Sequence, residues 1–140
     1  MKALRLIEKA FFLKKNLLFG DLDLDLLVSI ADKMEQEMYP SGKTIFQADQ
    51  IGHLIYWIIM GNVEIRNAQG LILKELQPND FFGEESLFNE KPRTYSAICK
   101  GPCHLLTLSR ASFLSSLSEC PSIAIALLQS YAQAIPCRNQ

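Results

Sequence analysis

The feature that most constrains the fold is a series of short apolar segments between Pro40 and Leu108, separated by turn-forming residues. The longest uncharged apolar segment, residues 54–60, has the length of a buried strand and not the roughly 20 residues of a membrane-spanning helix. Short strands with regular turns predict a sandwich, barrel or jelly roll. The predicted strands are 43–46, 54–60, 63–66, 71–76, 95–99 and 104–108, and the predicted turns are 49–50, 61–62, 67–70, 78–80 and 101–102.

Two helices are predicted before the strands. Apolar residues recur at helical spacing over residues 3–15, between basic ones. Asp21 offers an N-cap for a second helix, whose apolar stripe runs to about Glu37 before Pro40 ends it. We therefore expect the chain to begin with a helical pair that packs on the strands.

Helical periodicity returns at Arg110, is interrupted at Cys120 and Pro121, and resumes over residues 122–134. The order of helices, strands and helices predicts an α+β fold. Its central part is expected to be an antiparallel β jelly roll, or double-stranded β-helix. The predicted single domain, 1–140, divides into N-terminal helices (1–38), the jelly roll (39–109) and C-terminal helices (110–135).

Composition argues against several classes of function. The 140-residue chain carries 14 Lys and Arg against 15 Asp and Glu, so its net charge of −1 provides no broad attraction to nucleic acid or an anionic membrane. Charged residues interrupt each N-terminal apolar stretch that a signal peptide would need. We expect a cytoplasmic protein that contacts neither membrane nor, through this chain, nucleic acid.

Four cysteines, Cys99, Cys103, Cys120 and Cys137, are too few and too irregularly spaced for a disulfide scaffold. Cys99, Cys103 and His104 lie close together in sequence, but no second pair of ligands occurs elsewhere at metal spacing. We expect reduced, buried thiols and no metal site.

No catalytic signature is present in the sequence. Neither H-E-x-x-H nor G-x-S-x-G occurs. The two histidines, His53 and His104, complete no set of nucleophile, base and orienting group. We therefore expect no catalytic residue and no enzymatic activity.

The segment between two of the predicted strands carries chemistry suited to an anion. Gly83 permits close approach of backbone to a ligand, and one helical turn from about Glu84 to Phe88 would direct free N–H groups at an anion. Arg93 can form forked hydrogen bonds with phosphate oxygens, and Glu84 can accept from a ribose hydroxyl. By themselves these residues also fit a solvated surface turn with a Glu–Arg pair.

Five motifs occur in order along almost the whole chain. They are Leu18-Phe19, Pro40-x-Gly42, Ile55-Tyr56-x-Ile58-x-x-Gly61-x-Val63, Phe82-Gly83-Glu84-x-x-Leu87 and Pro92-Arg93-Thr94. Their order and spacing resemble the cyclic nucleotide-binding domain family, which occurs in catabolite-activator-type regulators, kinase regulatory subunits and cyclic-nucleotide-gated channels.

The resemblance implies that residues 82–97 are a phosphate-binding cassette for cAMP or cGMP, with no other cofactor. Glu84 would hold the ribose 2′-hydroxyl, and Arg93 would pair with the cyclic phosphate. Backbone N–H groups of Gly83 and Thr94 would donate to the phosphate. The implied ligand-binding residues are Phe82, Gly83, Glu84, Arg93, Thr94 and Tyr95. Tyr131, in the last helix, is the aromatic residue best placed to cap the purine, and core packing explains it equally well.

The sequence departs from the family pattern at four positions. Tyr95 stands where the family usually has a small residue, so its ring would narrow or cover the pocket. Glu85 replaces a common aliphatic residue, and a second carboxylate beside a phosphate lowers affinity unless it points to solvent. Asp49 and Asn79 replace turn glycines, and both residue types tolerate left-handed backbone geometry.

The sequence therefore predicts a regulatory domain that binds a cyclic nucleotide and relays binding through its C-terminal helices. Two alternatives stay open: a jelly-roll interaction module that has lost its ligand, and the sensor part of a transcription regulator. Residues on one face of the last helix can pair two chains, contact an effector or pack within the chain. These residues are Ala124, Leu127, Leu128 and Tyr131.

Overall fold

The computed structural model of the chain describes residues 3–15, 19–87 and 89–134, and the last two turns of the final helix partly by backbone alone. Leu18, Phe88 and Cys137 lie outside the described residues. The elements are α1 (Leu6–Lys14), α2 (Leu24–Ala31), β1 (Glu35–Tyr39), β2 (Thr44–Phe46), β3 (Leu54–Arg66), β4 (Ile72–Leu76), β5 (Phe81–Phe82), a 3₁₀ turn (Glu84–Leu87), β6 (Ser96–Ser109), α3 (Arg110–Glu119) and α4 (Pro121–Ala134).

The two long strands β3 and β6 form the centre of the sheet. They pair antiparallel, in a register that runs from Leu54 opposite Ser109 to Arg66 opposite Ser96. β1 and β2 pair with β6, and β4 and β5 pair with β3, each of them antiparallel. Each short strand therefore takes its place from one of the two long strands.

β3 is buried on both faces along its first half. Ile55 and Trp57 belong to a core shared with the helices, whereas Tyr56 and Ile58 belong to a second core inside the strands. The ring of Phe19, which follows α1, lies 6.1 Å from the ring of Trp57. This two-sided burial explains why residues 54–60 read as one uncharged apolar run.

The predicted extension of the second helix to about Glu37 is wrong. α2 ends at Ala31, its N-cap is Asp23 instead of Asp21, and residues 35–39 form β1, which pairs with β6 over its full length. Three of the five β1 residues are exposed, and the strand has no apolar alternation to distinguish it from a polar helix end. Hydrogen bonding to β6 decided its conformation, since strand preference depends strongly on context.

The sequence also predicts turns that end strands at 61–62 and 101–102. This prediction is wrong, because β3 and β6 continue through these positions. The register between β3 and β6 shifts on both sides of Met60, as in a β-bulge. Gly61 and Gly101 adopt φ angles of +92° and +81° at these bends. Each pair of predicted strands is therefore one long, bent strand.

The helical break at Pro121 is confirmed. α3 begins after Ser109, whose hydroxyl accepts a hydrogen bond of 3.0 Å from the Ser112 N–H. The predicted seam on α4 is divided, because Leu127 packs into the core and Leu128 is exposed. Among the described residues no single helix is long and apolar enough to cross a membrane; α3 with Pro121–Gln129 passes that test only jointly, bent by 106°.

The thiols of Cys99 and Cys103 are free and buried, as predicted, whereas the free thiol of Cys120 is only partly buried. Burial raises the pKa of Cys99 to about 12 and also raises the pKa of Cys103. Both thiols are therefore protonated at neutral pH. The part of the chain that the structure describes contains no cluster of three or more His, Cys, Asp or Glu residues able to hold a metal ion.

The two bend glycines provide a matched test of the long-strand architecture. A Cβ at Gly61 would lie 2.5 Å from the Pro102 carbonyl oxygen and 2.9 Å from the Cys103 sulfur, whereas one at Gly101 would meet open space. We expect Gly61→Ala to destabilise the domain by about 2–5 kcal/mol, from left-handed strain plus overpacking. Gly101→Ala adds only the strain, about 1–2 kcal/mol. Urea denaturation measures both, and equal losses would contradict this account.

Candidate functional site

The cassette begins with a tight backbone turn between β5 and β6. Gly83 has a φ of +82°, and the helical turn predicted from about Glu84 is present as the 3₁₀ turn Glu84–Leu87. A Cβ at Gly83 would lie 2.9 Å from Nη1 of Arg93 and 3.0 Å from the carbonyl oxygen of Leu54. Glycine is therefore required here both for backbone conformation and for close packing.

The loop before β3 holds the backbone of Arg93. The Arg93 N–H donates to the Gln50 carbonyl oxygen at 2.7 Å, and the Arg93 carbonyl oxygen accepts from the Asp49 N–H at 2.7 Å. Asp49 adopts a φ of +73°, as expected for a residue that replaces a turn glycine. These paired hydrogen bonds direct the Arg93 side chain inward, where it is only 1% exposed.

The buried guanidinium of Arg93 is bound on several sides by this chain. Nη2 donates to the Leu54 carbonyl oxygen at 2.8 Å, and Nη1 donates to the Gly83 carbonyl oxygen at 3.2 Å. Nη1 also forms an ion pair of 2.9 Å with Oε1 of Glu85. The guanidinium carbon lies 4.1 Å from the centre of the Phe46 ring, a cation–π contact. Arg93 is thus paired and stacked without any ligand.

Tyr95 completes a closed network around the turn. Its hydroxyl accepts a hydrogen bond of 2.9 Å from the Gly83 N–H and lies 3.5 Å from Oε2 of Glu85. Burial, followed by the charge of Glu85, raises the pKa of Tyr95, so the phenol is protonated at neutral pH. The Gly83 N–H, predicted to donate to a phosphate, therefore donates to Tyr95.

Glu84 and Glu85 point in different directions. Glu85, expected to face solvent or to weaken phosphate binding, instead pairs with Arg93. Glu84 is partly buried, and its Oε2 has no hydrogen-bond partner among the described residues. Burial is the main cause that raises the pKa of Glu84, and the charge of Glu85 adds to the rise. A hydrogen bond from the backbone of Glu84 itself lowers the pKa, as do the charges of Lys74 and Arg93. Oε2 of Glu84 is thus a buried acceptor for which the described residues supply no donor.

Aromatic rings fill the interior beside the cassette. Phe82 stacks on Tyr56 with ring centres 4.9 Å apart and planes 8° apart. Phe46 lies 5.3 Å from Tyr95 and 6.0 Å from Phe82. Burial raises the pKa of Tyr56 to about 12. These four rings therefore form one aromatic cluster, and Arg93 stacks on its Phe46 ring.

The structure brings together Phe82, Gly83, Arg93 and Tyr95 of the predicted site, with Glu84 at its edge. Thr94 is exposed beside Arg93, and Tyr131 lies in α4 with its side chain outside the described residues. A cavity of about 320 Å³ lies elsewhere, lined by Thr44, Gln47, Ala48, Asp49, Arg66, Asn67, Ala68, Gly70, Ser96 and Ile98. It includes none of the predicted ligand-binding residues.

Three residues that shape the site were missed by sequence reasoning: Phe46, Gly52 and Leu54. A Cβ at Gly52 would lie 2.3 Å from both Nε and Nη2 of Arg93, so only glycine leaves room for the guanidinium. The one available signal was the glycine itself, two residues before a strand. Phe46 looked like an ordinary apolar strand residue, and Leu54 acts through its backbone, which no sequence pattern reveals.

The cassette is also tied to the first C-terminal helix. Arg110, the first residue of α3, forms an ion pair with Glu90 in the loop that follows the 3₁₀ turn. The Arg110 N–H donates to the His53 carbonyl oxygen at 2.7 Å. The cassette loop and the loop before β3 therefore both contact the first residue of α3.

Residues 36–120 match the family model described as "Cyclic nucleotide-binding domain". The chain belongs to this family. As a cyclic nucleotide-binding domain it is 34% identical over 116 residues to the cGMP-dependent protein kinase, isozyme 1, of Drosophila melanogaster, covering 78% of this chain and 15% of the kinase. It is 31% identical over 106 residues to the cyclic AMP receptor protein of Thermus thermophilus, covering 73% of this chain and 48% of that protein.

Solved structures confirm the jelly-roll fold of this cyclic nucleotide-binding domain. The N-terminal domain of a transcriptional regulator from Streptomyces coelicolor is similar with a TM-score of 0.80 and 28% identity, covering 87% of this chain and 88% of that one. The regulatory domain of Toxoplasma gondii PKA, crystallised with cAMP, is similar with a TM-score of 0.74 and 26% identity. The match covers 92% of this chain and 50% of that one. Both of these solved structures are domains of regulatory proteins. The chain spans 15% of the Drosophila kinase and 48% of the Thermus receptor protein.

The contact between Gly52 and Arg93 can be tested by a double-mutant cycle. Gly52→Ala is expected to destabilise the wild-type domain by about 2 kcal/mol or more, since the new Cβ displaces a buried, hydrogen-bonded guanidinium. In an Arg93→Ala background the same change should cost less than about 0.5 kcal/mol. Urea denaturation of the four proteins measures the coupling, and equal costs in both backgrounds would refute the contact.

Proposed function

We propose that this chain is a sensor domain that binds cAMP or cGMP through its cassette and relays binding through its C-terminal helices. In this proposal Arg93 and the N–H groups of Gly83 and Thr94 hold the cyclic phosphate, while Glu84 holds the ribose 2′-hydroxyl. Phe82 and Tyr95 line the site, and Tyr131 is the candidate purine cap. The domain acts in the cytoplasm and is not an enzyme.

The observation that carries the proposal is the buried, unpartnered Oε2 of Glu84 beside a buried arginine. A buried carboxylate oxygen without a donor is unfavourable unless a ligand supplies one. Nε of Arg93 is also buried without a partner among the described residues. The unsatisfied acceptor of Glu84, at a glycine-led helical turn, suits a ribose hydroxyl, and Nη1 of Arg93, which lies beside Gly83, suits a phosphate oxygen.

The relay depends on the contact between cassette and α3. Because Glu90 pairs with Arg110, a ligand that reorders the cassette loop changes how α3 begins. A ligand shifts such an equilibrium only as far as it prefers one packing over the other. The exposed side of α3 and α4, which includes Leu114, Ile125 and Leu128, is then available for an effector or a second copy of the chain.

A specific observation favours a second candidate, an interaction module without a nucleotide. Arg93 and the Gly83 N–H already have partners within the chain, and four aromatic rings occupy the interior beside them. In this reading the jelly roll is a rigid scaffold and the helices are its binding surface. The third candidate, the sensor part of a transcription regulator, is favoured by similarity to the Streptomyces coelicolor domain.

Calorimetric titration with cAMP and with cGMP tests the first candidate. We expect saturable binding that Arg93→Ala weakens by at least about 30-fold, since removing one partner of a buried charge pair costs about 2–5 kcal/mol. Arg5→Ala is the matched control, because Arg5 pairs with Glu8 at the start of α1, away from the cassette. It should change affinity by less than about twofold. Absence of heat with either nucleotide would favour the interaction module.

The raised pKa of Glu84 predicts how affinity depends on pH. A ribose hydroxyl donates best to the ionised carboxylate, so a bound ligand lowers the pKa of Glu84 and binding releases a proton. Affinity should therefore fall as pH is lowered from about 7 to 5, by at most about tenfold per pH unit.

Titrations across this pH range measure the effect on affinity. Glu84→Gln is the control, because it should bind more weakly but with little pH dependence. A wild-type affinity that rises toward low pH would contradict the role of Glu84. Equal pH dependence in both proteins would assign the effect to another group.

A further inference from the structure

Two of the donors that the cyclic phosphate is proposed to use, the Arg93 guanidinium and the Gly83 N–H, are engaged by two side chains of this domain. The Glu85 carboxylate forms an ion pair with Arg93, and the Tyr95 hydroxyl accepts a hydrogen bond from the Gly83 N–H. Those two side chains lie 3.5 Å apart at their oxygens. Oε1 of Glu85 and the Tyr95 hydroxyl oxygen thus accept from the two donors where oxygens of an anion would accept.

We propose that Glu85 and Tyr95 form an internal substitute for the ligand's phosphate and thereby set the affinity of the site. This inference rests on the proposed function of the cassette. A cyclic nucleotide must displace the Glu85 carboxylate from Arg93 and the Tyr95 hydroxyl from Gly83 before its phosphate can bind. The free energy of those contacts is subtracted from the binding free energy, so the nucleotide concentration needed to fill the site is raised.

The two members of the ion pair differ in a way that allows displacement. The Arg93 side chain is 1% exposed and is held by the Leu54 and Gly83 carbonyl oxygens, so it has no route to solvent. The Glu85 side chain is 40% exposed, and a carboxylate can leave the site and become hydrated. Ligand entry therefore moves Glu85 outward and leaves Arg93 in place to receive the phosphate.

The negative charge of Glu85 makes it a stronger competitor of the phosphate for Arg93 than an uncharged hydrogen-bond acceptor would be. With Glu85 bound, the positive charge of Arg93 is neutralised at 2.9 Å, so an approaching anion meets no net attraction. The second donor, the Gly83 N–H, is hydrogen-bonded to the Tyr95 hydroxyl. This phenol is protonated, because burial and the charge of Glu85 raise the pKa of Tyr95. The Arg93 guanidinium and the Gly83 N–H become available to a phosphate only when Glu85 and Tyr95 move away from them.

Two conservative variants remove one competitor each. Glu85→Gln keeps the shape of the side chain but removes its charge, and Tyr95→Phe removes only the hydroxyl. In calorimetric titrations of the whole chain with cAMP and cGMP, we expect Glu85→Gln to bind at least about tenfold more tightly than wild type. Tyr95→Phe should show a smaller gain, and the double variant the tightest binding.

Glu75→Gln is the matched control for net charge. Glu75 is a carboxylate in an ion pair of 2.8 Å with Lys100, on β4 and away from the cassette, so its loss makes the same change in charge. The affinity of the Glu75→Gln variant for both nucleotides should equal that of wild type. A gain equal to that of Glu85→Gln would assign the effect to long-range electrostatics and overturn the proposal.

Thermal unfolding without nucleotide provides an independent measurement. Glu85→Gln should lower the Tm of the free domain, because it leaves the buried charge of Arg93 without a counterion. Tyr95→Phe keeps that ion pair, so it remains a usable variant where Glu85→Gln folds poorly. A gain in affinity together with a loss of Tm in Glu85→Gln supports the proposal.

The outcomes separate this inference from the function on which it rests. If wild type binds a nucleotide and both Glu85→Gln and Tyr95→Phe bind equally or more weakly, the inference is overturned and the proposed function stands. If neither wild type nor the double variant binds cAMP or cGMP, the proposed function fails and the inference fails with it.

Discussion

Burial of the Arg93 guanidinium is the constraint on which the cassette depends. A cation that is 1% exposed must find its partners within the protein, since an unpaired buried charge is strongly destabilising. Gly52 and Gly83 lack side chains where the guanidinium passes, and the carbonyl oxygen of Leu54 is aligned to receive it. Glu85 then supplies the negative charge. The glycines at positions 52 and 83 and the ion pair with Glu85 all meet this requirement.

The same burial connects the site to the rest of the molecule. Leu54 opens β3, which pairs with β6 over most of its length, so the position of the guanidinium is set by the most extensively paired part of the sheet. On the other side, the cassette loop pairs with the first residue of α3 through Glu90. The sheet and the first C-terminal helix therefore both contact the cassette.

Local sequence signals predicted the parts of the molecule whose structure is decided locally. The helical turn after Gly83, the break at Pro121 and the buried strand from Leu54 follow from glycine geometry, proline chemistry and an uncharged apolar run. β1 was missed because its polar residues form a strand only by pairing with β6. Likewise Gly61 suggests a turn, but here it bends a strand that neighbouring strands keep continuous.

The sequence by itself determined the family, the jelly roll between helices, and which charged residues lie near the cassette. Motif order and hydrophobic spacing are properties of the chain, and they are readable without coordinates. Only the tertiary structure decided which carboxylate pairs with Arg93. Glu84 and Glu85 are adjacent and chemically alike, so sequence cannot distinguish their directions. The turn conformation points Glu85 at the guanidinium and buries one oxygen of Glu84 without a partner, because backbone geometry assigns consecutive side chains to different surroundings.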